Sequence, residues 1–152
     1  MPSEFIMKGQ TSTGASEVLN FGGRNKGYGF KLTRFELWPA SAIGTTGQEL
    51  VGSVTANNAA MDPINPDFED PGLIGVAYFP LTSLSVGNSG VNNMITVIDD
   101  SFVVTQDLIL TVADAVSGST LSINWLCKFE KVKLSQSAEA VANYNQFTIF
   151  DD

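Results

Sequence analysis

The chain has sixteen carboxylates, one cysteine and no histidine, and that inventory limits the chemistry open to it. Without histidine neither a Ser-His-Asp nor a Cys-His arrangement can be built. Histidine-containing zinc sites are excluded, and one thiolate is too few for a cysteine zinc site. Cys127 alternates with Trp125 and Phe129, so it reads as a small apolar core residue rather than a reactive thiol. A lone cysteine also rules out an intramolecular disulfide. Paired carboxylates remain as a route to acid–base work on a glycosidic bond. The adjacent pairs Asp99–Asp100 and Glu69–Asp70 are the clustered candidates, but neighbours in a strand or turn point apart. The stretch "NPDFED" sets Asn65, Asp67 and Glu69 at alternate positions, with Asp62 and Asp70 nearby. Hard oxygen ligands in a turn-rich loop suit Ca²⁺, although the EF-hand spacing and its central glycine are missing. The plainer reading is a solvated or interface loop shaped by Asp-Pro turns. The expectation is a non-enzymatic chain without a resident cofactor, Ca²⁺ at Asp62, Asn65, Asp67 and Glu69 being the one metal candidate.

The stretch "FGGRNKGYGFKLTRFELW", residues 21–38, gathers four of the eight basic residues in a glycine-rich turn that leads into an aromatic strand. It is not a phosphate-binding P-loop, because no lysine-Ser/Thr pair follows its last glycine. It is not a dinucleotide fingerprint, because a strand follows where a helix is required. "KGYGF" is close to the aromatic signature of RNA-recognition strands, but the βαββαβ context is missing. The remaining reading is a turn with Arg24 and Lys26 at its tip, facing solvent or the acidic loops of a neighbouring subunit.

Charge is unevenly spread. The net charge is −8, which argues against general nucleic-acid binding. All eight Lys and Arg lie within residues 8–34 or 128–133. From Glu36 to Cys127 there are ten acids and no base. If the two basic segments meet in space, the subunit has a positive region and a negative remainder, a layout that permits head-to-tail contacts. Charged residues are only 16% of the chain, against about 25% in typical soluble domains, which favours buried subunit contacts.

These residues must be held by strands. Apolar side chains alternate or form short continuous runs, and eight strands are predicted: Glu4–Gly9, Glu17–Phe21, Tyr28–Trp38, Gln48–Ala56, Leu73–Phe79, Met94–Ile98, Phe102–Val112 and Thr120–Leu134. In the third, Tyr28, Phe30 and Leu32 share a face, then Phe35 and Leu37 take it over, which predicts a β-bulge near Thr33–Arg34. In the last, the switch from Phe129 to Val132 and Leu134 predicts a second bulge near Glu130–Lys131. Asn57–Leu73 is a long connection with three prolines and the densest acids, a length that is usually functional or interfacial. One helix is predicted, at about Ser137–Gln146, with a Ser135 or Ser137 cap. No apolar run approaches the ~18 residues of a membrane span, and no signal peptide is expected.

Eight strands and almost no helix predict an all-β, two-sheet β-sandwich filling residues 1–152 as one domain. Residues 4–134 form its core, and residues 135–152 a short helix and tail. Its eight-stranded form is the jelly roll. An immunoglobulin-like sandwich lacks the Cys…Trp…Cys spacing. The stretches "FGGRNKGYGFKLTRFELWP", "DPINPDFEDPGLIGVAYF" and "LSINWLCKFEKVKLSQSAEAVANYNQF" together resemble small jelly-roll capsid proteins of icosahedral viruses and phages, marine ones in particular. That resemblance implies a virion protein, made in a host cytoplasm, whose copies or companion capsid proteins pack side by side. It brings no catalytic residues. A long basic N-terminal arm is missing, so direct genome binding is not expected.

The subunit contacts expected are Arg24 and Lys26 at the glycine turn, Asp67, Glu69 and Asp70 on the acidic connection, and Lys128, Lys131 and Lys133 on the last strand. Phe147, Ile149 and Phe150 in the terminal "FTIFDD" suit strand addition to a neighbour's sheet. A second class stays open: a receptor- or carbohydrate-binding sandwich module of a spike or fibre. It would use exposed aromatics (Tyr28, Trp38 or Tyr78) and Ca²⁺ at the acidic loop.

Overall fold

Alternation of apolar and polar side chains builds a half-buried strand, as in Glu4–Ser12 and Ser122–Lys133, and short apolar runs such as Leu73–Leu81 build more fully covered ones. The computed structural model describes residues 4–21, 27–40, 48–56, 61–81, 94–115, 121–135 and 141–142. The strands are β1 Glu4–Ser12, β2 Ser16–Leu19, β3 Tyr28–Pro39, β4 Gln48–Thr55, β5 Leu73–Leu81, β6 Ile95–Ile98, β7 Leu108–Asp114 and β8 Ser122–Lys133. They form two antiparallel sheets, a three-stranded one in the order β1-β8-β3 and a five-stranded one in the order β2-β7-β4-β5-β6. The architecture is all-β and sandwich-like. Of the helix expected at Ser137–Gln146, only Val141 and Ala142 fall among the described residues, and both are helical.

The core lies between the sheets. Phe30, Leu32, Phe35 and Leu37 of β3 and Ile123, Trp125, Cys127 and Phe129 of β8 face Leu50 and Val54 of β4 and Leu108, Leu110 and Val112 of β7. Burying each such large side chain contributes about 1.5–3 kcal/mol. At one end Phe5, Phe21, Phe30 and Phe129 form an aromatic cluster, with Phe21 edge-on to Phe129 at 4.7 Å between centroids. Phe21 is held there because its backbone N–H donates to Asp107 Oδ1 at 2.7 Å. At the other end the Trp125 indole N–H donates to Thr11 Oγ1 at 3.0 Å, and the Thr11 hydroxyl donates to Glu17 Oε1, tying β1 to β2. The chain crosses between sheets at Thr13–Ala15, where Gly14 takes φ of 81°, a conformation that a side chain makes costly.

The bulge in β3 is where the alternation places it. The β3–β8 register shifts between Leu32 and Arg34, so Phe30 and Leu32 and then Phe35 and Leu37 all point inward. The second expected bulge is absent: β3 and β8 stay in continuous register from Phe129 to Lys133. The apolar residues change face there for another reason. Val132 pairs with Gly29, and a side chain at Gly29 would run into Val103 and Leu134. A small outer cluster, not a register shift, recruits Val132 and Leu134. The strand expected at Phe102–Val112 begins only at Leu108. Ahead of it Val104 makes an isolated bridge to Phe30, filling that stretch of the β3 edge.

Candidate functional site

The pairing of β3 with β8 brings the two basic segments side by side. Arg34 lies opposite Lys128, Lys31 opposite Glu130, and Tyr28 opposite Lys133. Lys131 sets its ammonium 4.0 Å from the centre of the Tyr28 ring, a cation–π contact. Lys128 reaches Glu4 at 3.1 Å, and Arg34 reaches Glu36 at 2.6 Å. Both pairs are solvent-exposed, and such pairs contribute roughly 0–1 kcal/mol.

The three-stranded sheet carries six described bases, Lys8, Lys31, Arg34, Lys128, Lys131 and Lys133, against the three acids Glu4, Glu36 and Glu130, a balance of +3. The five-stranded sheet and the connections around it carry ten described acids and no described base. These are Glu17, Glu49, Asp62, Asp67, Glu69, Asp70, Asp99, Asp100, Asp107 and Asp114. Arg24 and Lys26 lie outside the described residues, as do Phe147, Ile149 and Phe150.

The acidic connection folds over the outer face of the five-stranded sheet, where the Ser53 hydroxyl donates to the Met61 carbonyl at 3.1 Å. This covering explains why Ser53 and Thr55, on a nominally outer face, are buried. Its carboxylates shape turns. Asp62 accepts from Ile64 N–H at 3.0 Å and Asn65 Nδ2 at 3.3 Å, Asp67 from Glu69 N–H at 2.9 Å, and Asp70 from Gly72 N–H at 2.8 Å. Asp99 does the same for Ser101. These are Asx turns, the use that Asp and Asn side chains commonly find in loops. Among the described residues no three carboxylates or thiols gather in a group able to hold a metal ion.

Beside those turns lies an apolar surface that sequence reasoning missed. Phe68, Val76 and Val97 line a hollow of about 210 Å³ with Asp70 and Asp99. Phe68 is 63% exposed, Ile95 58% and Val97 50%. Val97 pairs with Val76 and Ile95 with Tyr78, so these four share the outer face of the sheet. The signal was present in "ITVI", a short strand with only one polar residue, and in a phenylalanine set among acids. The Tyr78 hydroxyl titrates above its ordinary range, chiefly through desolvation and also through its hydrogen bond to Glu49 and that carboxylate's charge.

A wider groove of about 820 Å³ crosses the three-stranded sheet. Lys8, Gln10, Glu36, Asn124 and Leu126 line it, with Trp38 and Phe79 at one side. Trp38 is 55% exposed and meets Phe79 edge-on at 5.7 Å. Gln10 Nε2 donates to Asn124 Oδ1 at 3.0 Å. Of the three aromatics expected at a binding surface, only Trp38 is mostly exposed; Tyr28 and Tyr78 are half-buried. Cys127 is fully buried, and burial pushes its thiol well up, so it is the core residue its alternation predicts. No protein-family model matches the chain, and no curated protein matches it.

Proposed function

We propose that the chain is a non-enzymatic structural subunit of an icosahedral viral shell, a jelly roll whose copies, alone or with other capsid proteins, assemble in the virion. The observation that carries the proposal is the segregation of charge between the two sheets, +3 on one and −10 around the other among the described residues. Opposite signs on opposite layers give one copy something to attract in the next. Strand order supports the jelly-roll part. That fold is a long antiparallel hairpin rolled up, which nests the pairs β1·β8, β2·β7, β3·β6 and β4·β5. Three of those four pairs occur here as ladders, and β6, laddered to β5, also runs alongside β3. Jelly rolls serve in viral shells and in lectins, so the topology is an analogy and the charge layout is the physical reason.

Light scattering and negative-stain microscopy on the purified chain test the proposal. Closed shells or rings are expected. A chain that stays monomeric at every salt concentration and binds glycans would point to the second reading, a receptor- or carbohydrate-binding module. One observation favours that reading: Trp38 offers an exposed indole in a groove with Gln10, Asn124, Glu36 and Lys8. An indole face stacks on sugar C–H groups while amides and charges hydrogen-bond the hydroxyls. Under it, Trp38→Ala abolishes glycan binding and leaves folding intact.

A further inference from the structure

We propose that two copies pair through the free edge of β1, antiparallel, about a twofold axis at Ile6, so that Glu4 of each faces Lys8 of the other. The inference stands apart from the shell reading, since two chains complete it.

Among the described residues β1 is the last strand of its sheet, with β8 on one side only. The ladder decides which of its backbone groups bond β8. Thr13 N–H donates to the Leu121 carbonyl at 2.7 Å, one step beyond the pair Ser12–Ser122. Antiparallel strands bond at every second residue, so Thr11, Gly9, Met7 and Phe5 turn their N–H and C=O groups to β8. Glu4, Ile6 and Lys8 turn theirs to the open edge. The same alternation, carried across β8 and past the β3 bulge, points Phe30 and Leu37 away from β8. There Phe30 N–H bonds the Val104 carbonyl and Leu37 N–H the Met94 sulfur, as the alternation requires.

An open edge is a template for another strand, and the side chains on it select the strand. Glu4, Ile6 and Lys8 are exposed and share the outer face of the sheet, while Phe5 and Met7 on the inner face are only partly covered. A second β1 bonds this edge only where its own outward-turned residues meet Glu4, Ile6 and Lys8. A register centred on Glu4 or on Lys8 sets that charge against itself. One centred on Met7 sets Ile6 against Lys8. Centred on Ile6, the pairing opposes Ile6 to Ile6 and Glu4 to Lys8 at both ends, and opposite charges directly across a ladder are favourable. Each opposed pair then exchanges two main-chain hydrogen bonds, and Phe5 comes to lie across from Met7 on the inner face. The contact is isologous and joins the two three-stranded sheets into one. The bridge from Glu4 to Lys128 at 3.1 Å is compatible with it, because a carboxylate has acceptor sites for two ammonium groups.

A carbodiimide, which joins a carboxylate to an amine only where they touch, tests the register on the full chain. Within one strand Glu4 and Lys8 stand roughly 13 Å apart, so a Glu4–Lys8 link has to be between chains. Heavy- and light-isotope chains mixed before the reaction should give mixed-isotope Glu4–Lys8 links by mass spectrometry, with the Glu4–Lys128 link inside each chain as the internal control. Sedimentation velocity tests the energetics. Glu4→Lys and Lys8→Glu each set like charges across the contact twice and should each weaken self-association roughly a hundredfold. The double variant Glu4→Lys with Lys8→Glu restores opposite charges and should recover most of the wild-type association. All three should melt within a few degrees of the wild type, since both positions are exposed. Single variants that associate like the wild type would overturn the pairing, as would a double variant no stronger than either single one. Closed shells without a Glu4–Lys8 link would overturn the β1 contact and leave the shell reading in place. Linked dimers that never grow into shells would do the reverse.

Discussion

Cys127 is buried among Ile123, Trp125 and Phe129 on the inner face of β8, and burial raises its thiol far above the ordinary 9.0. The folded state keeps a proton that the unfolded chain releases above that value. Above pH 9 the unfolded state therefore binds fewer protons, and stability falls as pH rises. This contribution is intact below the ordinary value and shrinks by about 1.4 kcal/mol per pH unit above it. Denaturant titrations on either side of the ordinary thiol value check it. Cys127→Ala should be less stable overall but lose stability less steeply with alkali; parallel profiles would mean that the folded thiol titrates freely. The burial of Cys127 was legible from its parity with Trp125 and Phe129. The ranking of the exposed aromatics was not, because Lys131 covers Tyr28 and Glu49 bonds Tyr78 only through strand pairing.

At the scale of the element, β3 shows how far alternation can be read. Its two inward pairs, Phe30–Leu32 and Phe35–Leu37, are out of phase, and only a bulge reconciles them. Thr33 is the extra residue: with it kept in an even ladder one pair would turn outward, and two large side chains lost from the core amount to about 3–6 kcal/mol, comparable with the whole stability of a small domain. Deleting Thr33 instead brings both pairs into one phase, inward, without a bulge, so the deletion variant should keep a cooperative thermal transition. Thr33→Ala, at an exposed position whose hydroxyl reaches only the Lys128 carbonyl, should melt close to the wild type. A deletion variant without a cooperative transition would show that Thr33 is not simply the extra residue between two inward pairs. The same reasoning misled at β8, since Val132 and Leu134 follow the pattern of a bulge yet serve an outer cluster with Gly29 and Val103. Alternation reports that a side chain is covered, not by what.

At the scale of the molecule, the basic segments are about a hundred residues apart in the chain and neighbours in the sheet, and ten of the thirteen described acids line the other layer. If that separation drives association, salt opposes it: between about 0.01 M and 1 M the Debye length shrinks from about 30 Å to 3 Å. Assemblies should lose mass across that range in light scattering. Assemblies unchanged by salt would assign the attraction to the apolar patch instead. The sequence by itself determined the strand content, the β3 bulge, the inward faces of β3 and β8 and the lack of histidine chemistry, because each depends on local spacing or on residue type alone. Only the tertiary structure decided that Lys31 and Arg34 would lie against Glu130 and Lys128, that the acidic connection would blanket Ser53 and Thr55, and that Phe68 would join Val97. Those are contacts between segments distant in the chain, chosen by ladder pairing and core closure, and no local pattern records them.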